Sequence, residues 1–87
     1  MATIPRADCP HISTVSDAPA PANSACAECA APAPTRVCLT CGHVGCCDST
    51  RGHATAHAQA SGHPIIRSLP LSTGSFTWCY ECKAYLQ

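Results

Sequence analysis

Residues 38–63 read CLTCGHVGCCDSTRGHATAHAQASGH. Six side chains in this stretch are soft-metal ligands at ordered intervals: Cys38, Cys41, Cys46, His53, His57 and His63. The Cys38-x-x-Cys41 spacing lets two sulfurs reach one ion around a tight turn, and zinc takes thiolates and imidazoles in fours. Gly42 and Gly45 flank a turn and give the backbone freedom for a close approach to metal. Residues 53–60 (HATAHAQA) are the best helix candidate, with Ser49 or Thr50 as N-caps and Gly62 as a stop. So short a helix does not persist alone in water, and metal is expected to fix it.

The same signal recurs on both sides of this stretch. Cys26-x-x-Cys29 and Cys79-x-x-Cys82 are further doublets, and Cys9-Pro10-His11 is another with one intervening residue. Twelve ligands result, taking eight of the nine cysteines and four of the five histidines. Twelve divides into three closed tetrahedral zinc sites. A closed site offers no position to water or substrate, so the pattern argues for structure and against an enzyme. A disulfide framework would leave the interleaved histidines idle, and four histidines at zinc-like spacings argue against an iron–sulfur protein. A redox dithiol would need a free pair, and the ligands leave only one spare cysteine. His43 and Cys47 are left over. His43 reads as a surface residue or a donor behind a ligand. Cys47 reads as a small buried residue, with a thiol role open because of its neighbour Cys46.

The 87 residues limit the chain to one domain, expected to span 1–87. Its hydrophobic fraction of 46% consists largely of Ala and Cys, which contribute little burial each. Larger apolar side chains are few, so metal must supply much of the stability. Net charge is zero, and Arg6, Arg36, Arg51, Arg67 and Lys83 are scattered singly. Phosphate contacts need clustered cations, which argues against a nucleic-acid partner. No apolar run precedes Cys9 and none approaches a membrane span. The chain therefore reads as soluble, cytoplasmic and reduced, and it is expected to be monomeric. Residues 13–25 read as an Ala/Pro/Ser-rich irregular loop. Strands are expected over 36–41, 64–68 and 75–79, and a final helical turn over 83–87.

From Cys9 to Tyr85 the chain resembles the UBP-type zinc finger, a ubiquitin-binding module of deubiquitinases and of a cytoplasmic histone deacetylase. The resemblance rests on Cys9-Pro10-His11, Cys26-Ala27-Glu28-Cys29 and the run Cys38 to Cys46. It continues through His53-x3-His57, Ser61-Gly62-His63-Pro64 and Trp78-Cys79-Tyr80-Glu81-Cys82-Lys83-Ala84-Tyr85. The Ala/Pro-rich background and the Cys46-Cys47-Asp48-Ser49 step resemble prokaryotic members. The resemblance implies a small zinc-stabilised α+β domain: a compact antiparallel sheet with one or two short helices and three cross-braced zinc sites. Carried over, one site is Cys9, His11, Cys79 and Cys82. A second is Cys26, Cys29, Cys46 and His53. The third is Cys38, Cys41, His57 and His63.

Family members that bind ubiquitin hold its C-terminal diglycine against aromatics, and an arginine after a Cys-Gly pair grips the carboxylate. Trp78, Tyr80 and Tyr85 match the pocket aromatics. The arginine position is Asp48, and the pocket tryptophan two residues before Cys38 is Arg36. A bidentate guanidinium matches a carboxylate, whereas Asp48 repels one. The resemblance therefore implies a protein- or peptide-recognition module that does not take the ubiquitin C-terminus in the usual way. Arg36 or Arg51 offers a replacement cation; alternatively Asp48 favours a basic target, or Asp48, Ser49 and Thr50 cap the helix. The alternative functions are a purely structural or regulatory accessory to another protein, and nucleic-acid binding.

Overall fold

The computed structural model describes residues 2–15, 24–70 and 74–87. Among the described residues the elements are β1 (Ala2–Ile4), β2 (Thr35–Cys38), β3 (Val44–Cys46), α1 (His53–Ser61), β4 (Ile65–Leu69), β5 (Thr77–Cys79) and β6 (Ala84–Leu86). Two single turns of 3-10 helix cover Arg6–Asp8 and Ile12–Thr14. The strands form one sheet in the order β1-β6-β5-β4-β2-β3. Every pairing is antiparallel except β1 with β6, which are parallel with Thr3 opposite Tyr85. This is the small α+β fold expected, with one short α-helix among the described residues; the sheet is mixed rather than wholly antiparallel because β1 adds to β6 in parallel.

Five local expectations differ from the structure. The strand expected over 36–41 ends at Cys38, and Gly45, expected to flank a turn, lies inside β3. Residues 83–87 are strand, not helix. Lys83 takes φ 52 and its N–H donates to the Cys79 carbonyl at 2.8 Å, which closes the Cys79–Cys82 turn and releases an extended chain. Ala84 and Leu86 are then buried and Tyr85 half-exposed, the alternation of a strand. The N-cap of α1 is Gly52 in the left-handed region, with no side-chain cap. Ser49 and Thr50 instead place their hydroxyls 2.9 and 3.7 Å from Cys47 Sγ. Within 13–25, Ser13 and Thr14 belong to a 3-10 turn, and 16–23 lie outside the described residues. Gly62 does stop α1, at φ 74, with its N–H on the Ala58 carbonyl at 3.0 Å.

The register divides the sheet into two faces. In-register partners share a face. One face carries two small cores, Val37 with Val44 and Leu69, and Ile65 with Cys9, Cys79 and Leu86. The other carries Arg36, Gly45, Ile66, Ser68, Trp78 and Tyr85. α1 packs on this second face, where Gly45 lies beneath it. A Cβ on Gly45 would stand 2.4 Å from the Ala54 amide nitrogen. The helix buries only Ala54 and Ala58, so apolar packing contributes little to holding it. None of Phe76, Trp78, Tyr80 and Tyr85 is buried in either core; each is half-exposed.

Candidate metal centres and ligand cavity

Twelve side chains converge in three groups of four: Cys9, His11, Cys79 and Cys82; Cys26, Cys29, Cys46 and His53; Cys38, Cys41, His57 and His63. Within each group the ligating atoms lie within 4.8 Å of one another. In the first, His11 Nδ1 stands 3.5 Å from Cys79 Sγ and 3.4 Å from Cys82 Sγ, and Cys9 Sγ is 3.5 Å from Cys82 Sγ. In the second, His53 Nδ1 is 3.3 Å from Cys26 Sγ and 3.4 Å from Cys46 Sγ, with Cys29 Sγ 4.0 Å from Cys46 Sγ. In the third, His57 Nε2 is 3.3 Å from Cys41 Sγ.

These spacings fit a tetrahedral ion. Zinc bonds of about 2.3 Å to sulfur and 2.0–2.1 Å to nitrogen give tetrahedral edges of roughly 3.8 Å between sulfurs and 3.5 Å from sulfur to nitrogen. In the third group His63 Nδ1 is buried with no hydrogen-bond partner, a lone pair that a metal would satisfy. Each of the three clusters could hold one zinc ion.

The electrostatics point the same way. Burial pushes the Cys26 thiol up, but N–H groups of Glu28 and Cys29 and the His53 imidazole outweigh it and bring the value to about 6. Contact with Cys9, then burial and Cys79, pushes Cys82 up to about 12. Sulfurs this close cannot all carry charge without a cation between them, and a divalent ion removes the conflict. Burial, then the neighbouring His43 and His63, lowers His57 and favours its neutral, ligating form.

The fold explains how distant residues meet. The first cluster joins the N-terminal turns to the end of β5 and the following turn, so it ties both ends of the described chain. The Cys26–Cys29 turn docks on the β3 edge through the Ala27 N–H to the Val44 carbonyl at 2.8 Å. One helical turn separates His53 from His57, and they serve different clusters because α1 runs from the β3 end toward Cys38 and Cys41. His43 belongs to none of the groups. It stacks on the His57 ring at 4.1 Å and 8°, with Nε2 3.6 Å from Glu28. Cys47 is also outside them. It is buried, and the Ser49 hydroxyl lowers its thiol against the opposing effect of burial.

Between α1 and the second sheet face lies a cavity of about 730 Å³. Arg36, Asp48, Trp78, Tyr80 and Tyr85 all line it; Arg51 does not. Phe76 and Thr55 line it too and were missed from sequence. The signal for Phe76 was available: it sits two residues before Trp78, hence on the same strand face. All four aromatic residues of the chain therefore surround one cavity. Tyr85 meets Phe76 edge-on at 5.2 Å and Trp78 at 4.9 Å. The Arg36 guanidinium lies over Phe76 at 4.9 Å and donates to the Thr35 carbonyl at 2.9 Å. The Thr55 hydroxyl donates to Asp48 Oδ1 at 2.6 Å and stands 3.3 Å from the Tyr80 hydroxyl. Burial raises the Tyr80 phenol, so it stays protonated as a donor.

Residues 26–87 match the family described as Zn-finger in ubiquitin-hydrolases and other protein. The NAD-dependent deacetylase sir2A of Dictyostelium discoideum is 44% identical over 50 residues, which is 58% of this chain and 9% of that protein. The chain thus spans under a tenth of this curated relative. The solution NMR structure of protein RPA1320 from Rhodopseudomonas palustris is similar with a TM-score of 0.72 and 39% identity, over 88% of this chain and 78% of that one. No helix among the described residues is long and apolar enough to cross a membrane. With the family match covering most of the chain and twelve Cys and His side chains gathered in fours, this chain belongs to the zinc fingers of ubiquitin hydrolases and other proteins.

Proposed function

We propose that residues 1–87 form one cytoplasmic, monomeric, non-catalytic recognition module that takes a protein or peptide segment into the aromatic cavity. Three zinc ions would be held by Cys9, His11, Cys79 and Cys82, by Cys26, Cys29, Cys46 and His53, and by Cys38, Cys41, His57 and His63. With four protein ligands each, these sites leave no open position for a substrate, which supports a scaffold rather than an enzyme. The observation that carries the recognition reading is the placement of all four aromatics. A chain short of core bulk sets Phe76, Trp78, Tyr80 and Tyr85 around a cavity and not in its cores. Aromatics with an apolar body and a polar tip are the residues that dominate recognition surfaces.

The ubiquitin C-terminus is not expected in the usual way, because an exposed carboxylate, Asp48, stands where a carboxylate-binding arginine would be needed. The test is an NMR titration of zinc-loaded protein with an acetylated tail ending in diglycine, as free acid and as amide. Neither form is expected to saturate below about 1 mM, a loss of roughly 4 kcal/mol against a micromolar binder. Micromolar saturation by the acid alone would show the usual mode. For recognition itself, short peptides of mixed charge should shift the Trp78 indole and the Phe76 and Tyr85 amides. If no peptide moves these signals, the aromatic cavity is not a recognition site and a purely structural role stands.

A further inference from the structure

The charges around the cavity narrow what it accepts; this inference rests on the recognition reading above. Two cations, Arg36 and Lys83, and two anions, Asp48 and Glu81, line it and cancel. Arg36 and Asp48 are also held in place. The guanidinium plane is fixed over Phe76 and by its bond to the Thr35 carbonyl. The Asp48 carboxylate is fixed by the Thr55 hydroxyl. Charged heads already oriented lose little freedom on binding. A ligand with a single charge meets one attractive and one repulsive group in the same cavity. A ligand with both charges satisfies both.

We propose that the cavity selects a short zwitterionic peptide, with its carboxylate on Arg36, its ammonium on Asp48 and its apolar body against Trp78 and Tyr85. The fork of a guanidinium suits a carboxylate, and a carboxylate already engaged by one hydroxyl still has lone pairs for an ammonium. Aromatic faces beside Asp48 add to the attraction for a cation. A volume of about 730 Å³ lies in the range that encloses a drug-sized ligand, so the occupant is a few residues long rather than a folded surface.

The experiment uses zinc-loaded full chain and the peptides Leu-Gly, Leu-Gly-Gly and Leu-Gly-Gly-Gly. Each is prepared with both ends free, N-acetylated, C-amidated and doubly capped, and binding is read from Trp78 fluorescence and amide shifts. At least one length with both ends free should bind tenfold or more tighter than either singly capped form. Asp48→Asn should erase the preference for a free amine and keep that for a free acid. Arg36→Gln should do the reverse. Zinc count and far-UV circular dichroism check that both variants fold, and the capping series on the wild type stands without them. Equal binding of free and doubly capped peptides would overturn the zwitterion assignment and leave the recognition reading intact. A variant that weakens all four forms alike would overturn the assigned pairing. No binding of any form, with the cavity signals still responding to other peptides, would overturn this proposal alone. Silence toward every peptide would overturn both.

Discussion

At Gly45 the sheet approaches the helix backbone too closely for a side chain. A methyl there would meet the Ala54 backbone at 2.4 Å, and backbone cannot turn aside as a side chain can. Gly45→Ala should lower stability by about 1–3 kcal/mol or more, the range for overpacking, read as a lower urea midpoint at fixed free zinc. Ser68 is a second sensitive position, through hydrogen bonds and not through contact with the helix. Its hydroxyl accepts the Phe76 N–H at 2.8 Å, and its own N–H donates to the Phe76 carbonyl at 2.9 Å. Ser68→Ala should cost about 1–3 kcal/mol by leaving the Phe76 amide short of its partner, and in the same titration should broaden the Phe76 signals. At this scale the sequence was only partly legible. Ligand types and spacings are written in the one-letter code, so Cys38 and His57 could be singled out directly. The alternation puts Phe76 on the same face as Trp78, but only the register of β4 with β5 shows that this face lines a cavity and not a core, and the Ser49 hydroxyl meets Cys47 rather than the helix.

α1 shows why a short Ala-rich segment can be helical at all. Nine residues fall below the length at which isolated helices become marginal, and only Ala54 and Ala58 are buried. Under the proposed ligand assignment His53 and His57 hold it to two ions. His57→Ala should then lower the zinc count from three to two by native mass spectrometry and raise amide exchange across 53–61, while amides around Cys79 stay protected. The pH dependence has a defined sign. Because burial lowers His57 in the fold, the unfolded chain binds more protons between that lowered value and the ordinary ~6.5. Stability from neutral His57 is full above ~6.5 and lost as pH falls toward the lowered value. Zinc retention should follow, falling as pH drops below ~6.5 in an acid titration with a chromogenic chelator. The helix, β2, β4 and β5 were legible from pattern. β6 was not, because its strand follows a left-handed Lys83. β1 was not, because three residues become a strand only by pairing with β6.

At the scale of the whole molecule, two small aliphatic cores and one Ala-buried helix must be held by something else. With zinc bound as proposed, the three clusters would supply it by crossing the chain. The first brings residues 9–11 to 79–82, the second residues 26–29 to 46–53, and the third residues 38–41 to 57–63. Long closures remove much unfolded-state freedom, and under the proposed ligand assignment metal binding and folding would be one equilibrium. The cavity exists because this frame fixes α1 over a sheet face carrying the aromatics. The most direct test of that frame is a cobalt(II) titration of metal-free protein, followed by visible absorption and far-UV circular dichroism together. Intense tetrahedral thiolate bands should saturate at three equivalents, with folded signal rising in step. Saturation at two equivalents or fewer, weak bands of higher coordination, or a fully folded signal before metal is added would rule out a three-zinc frame.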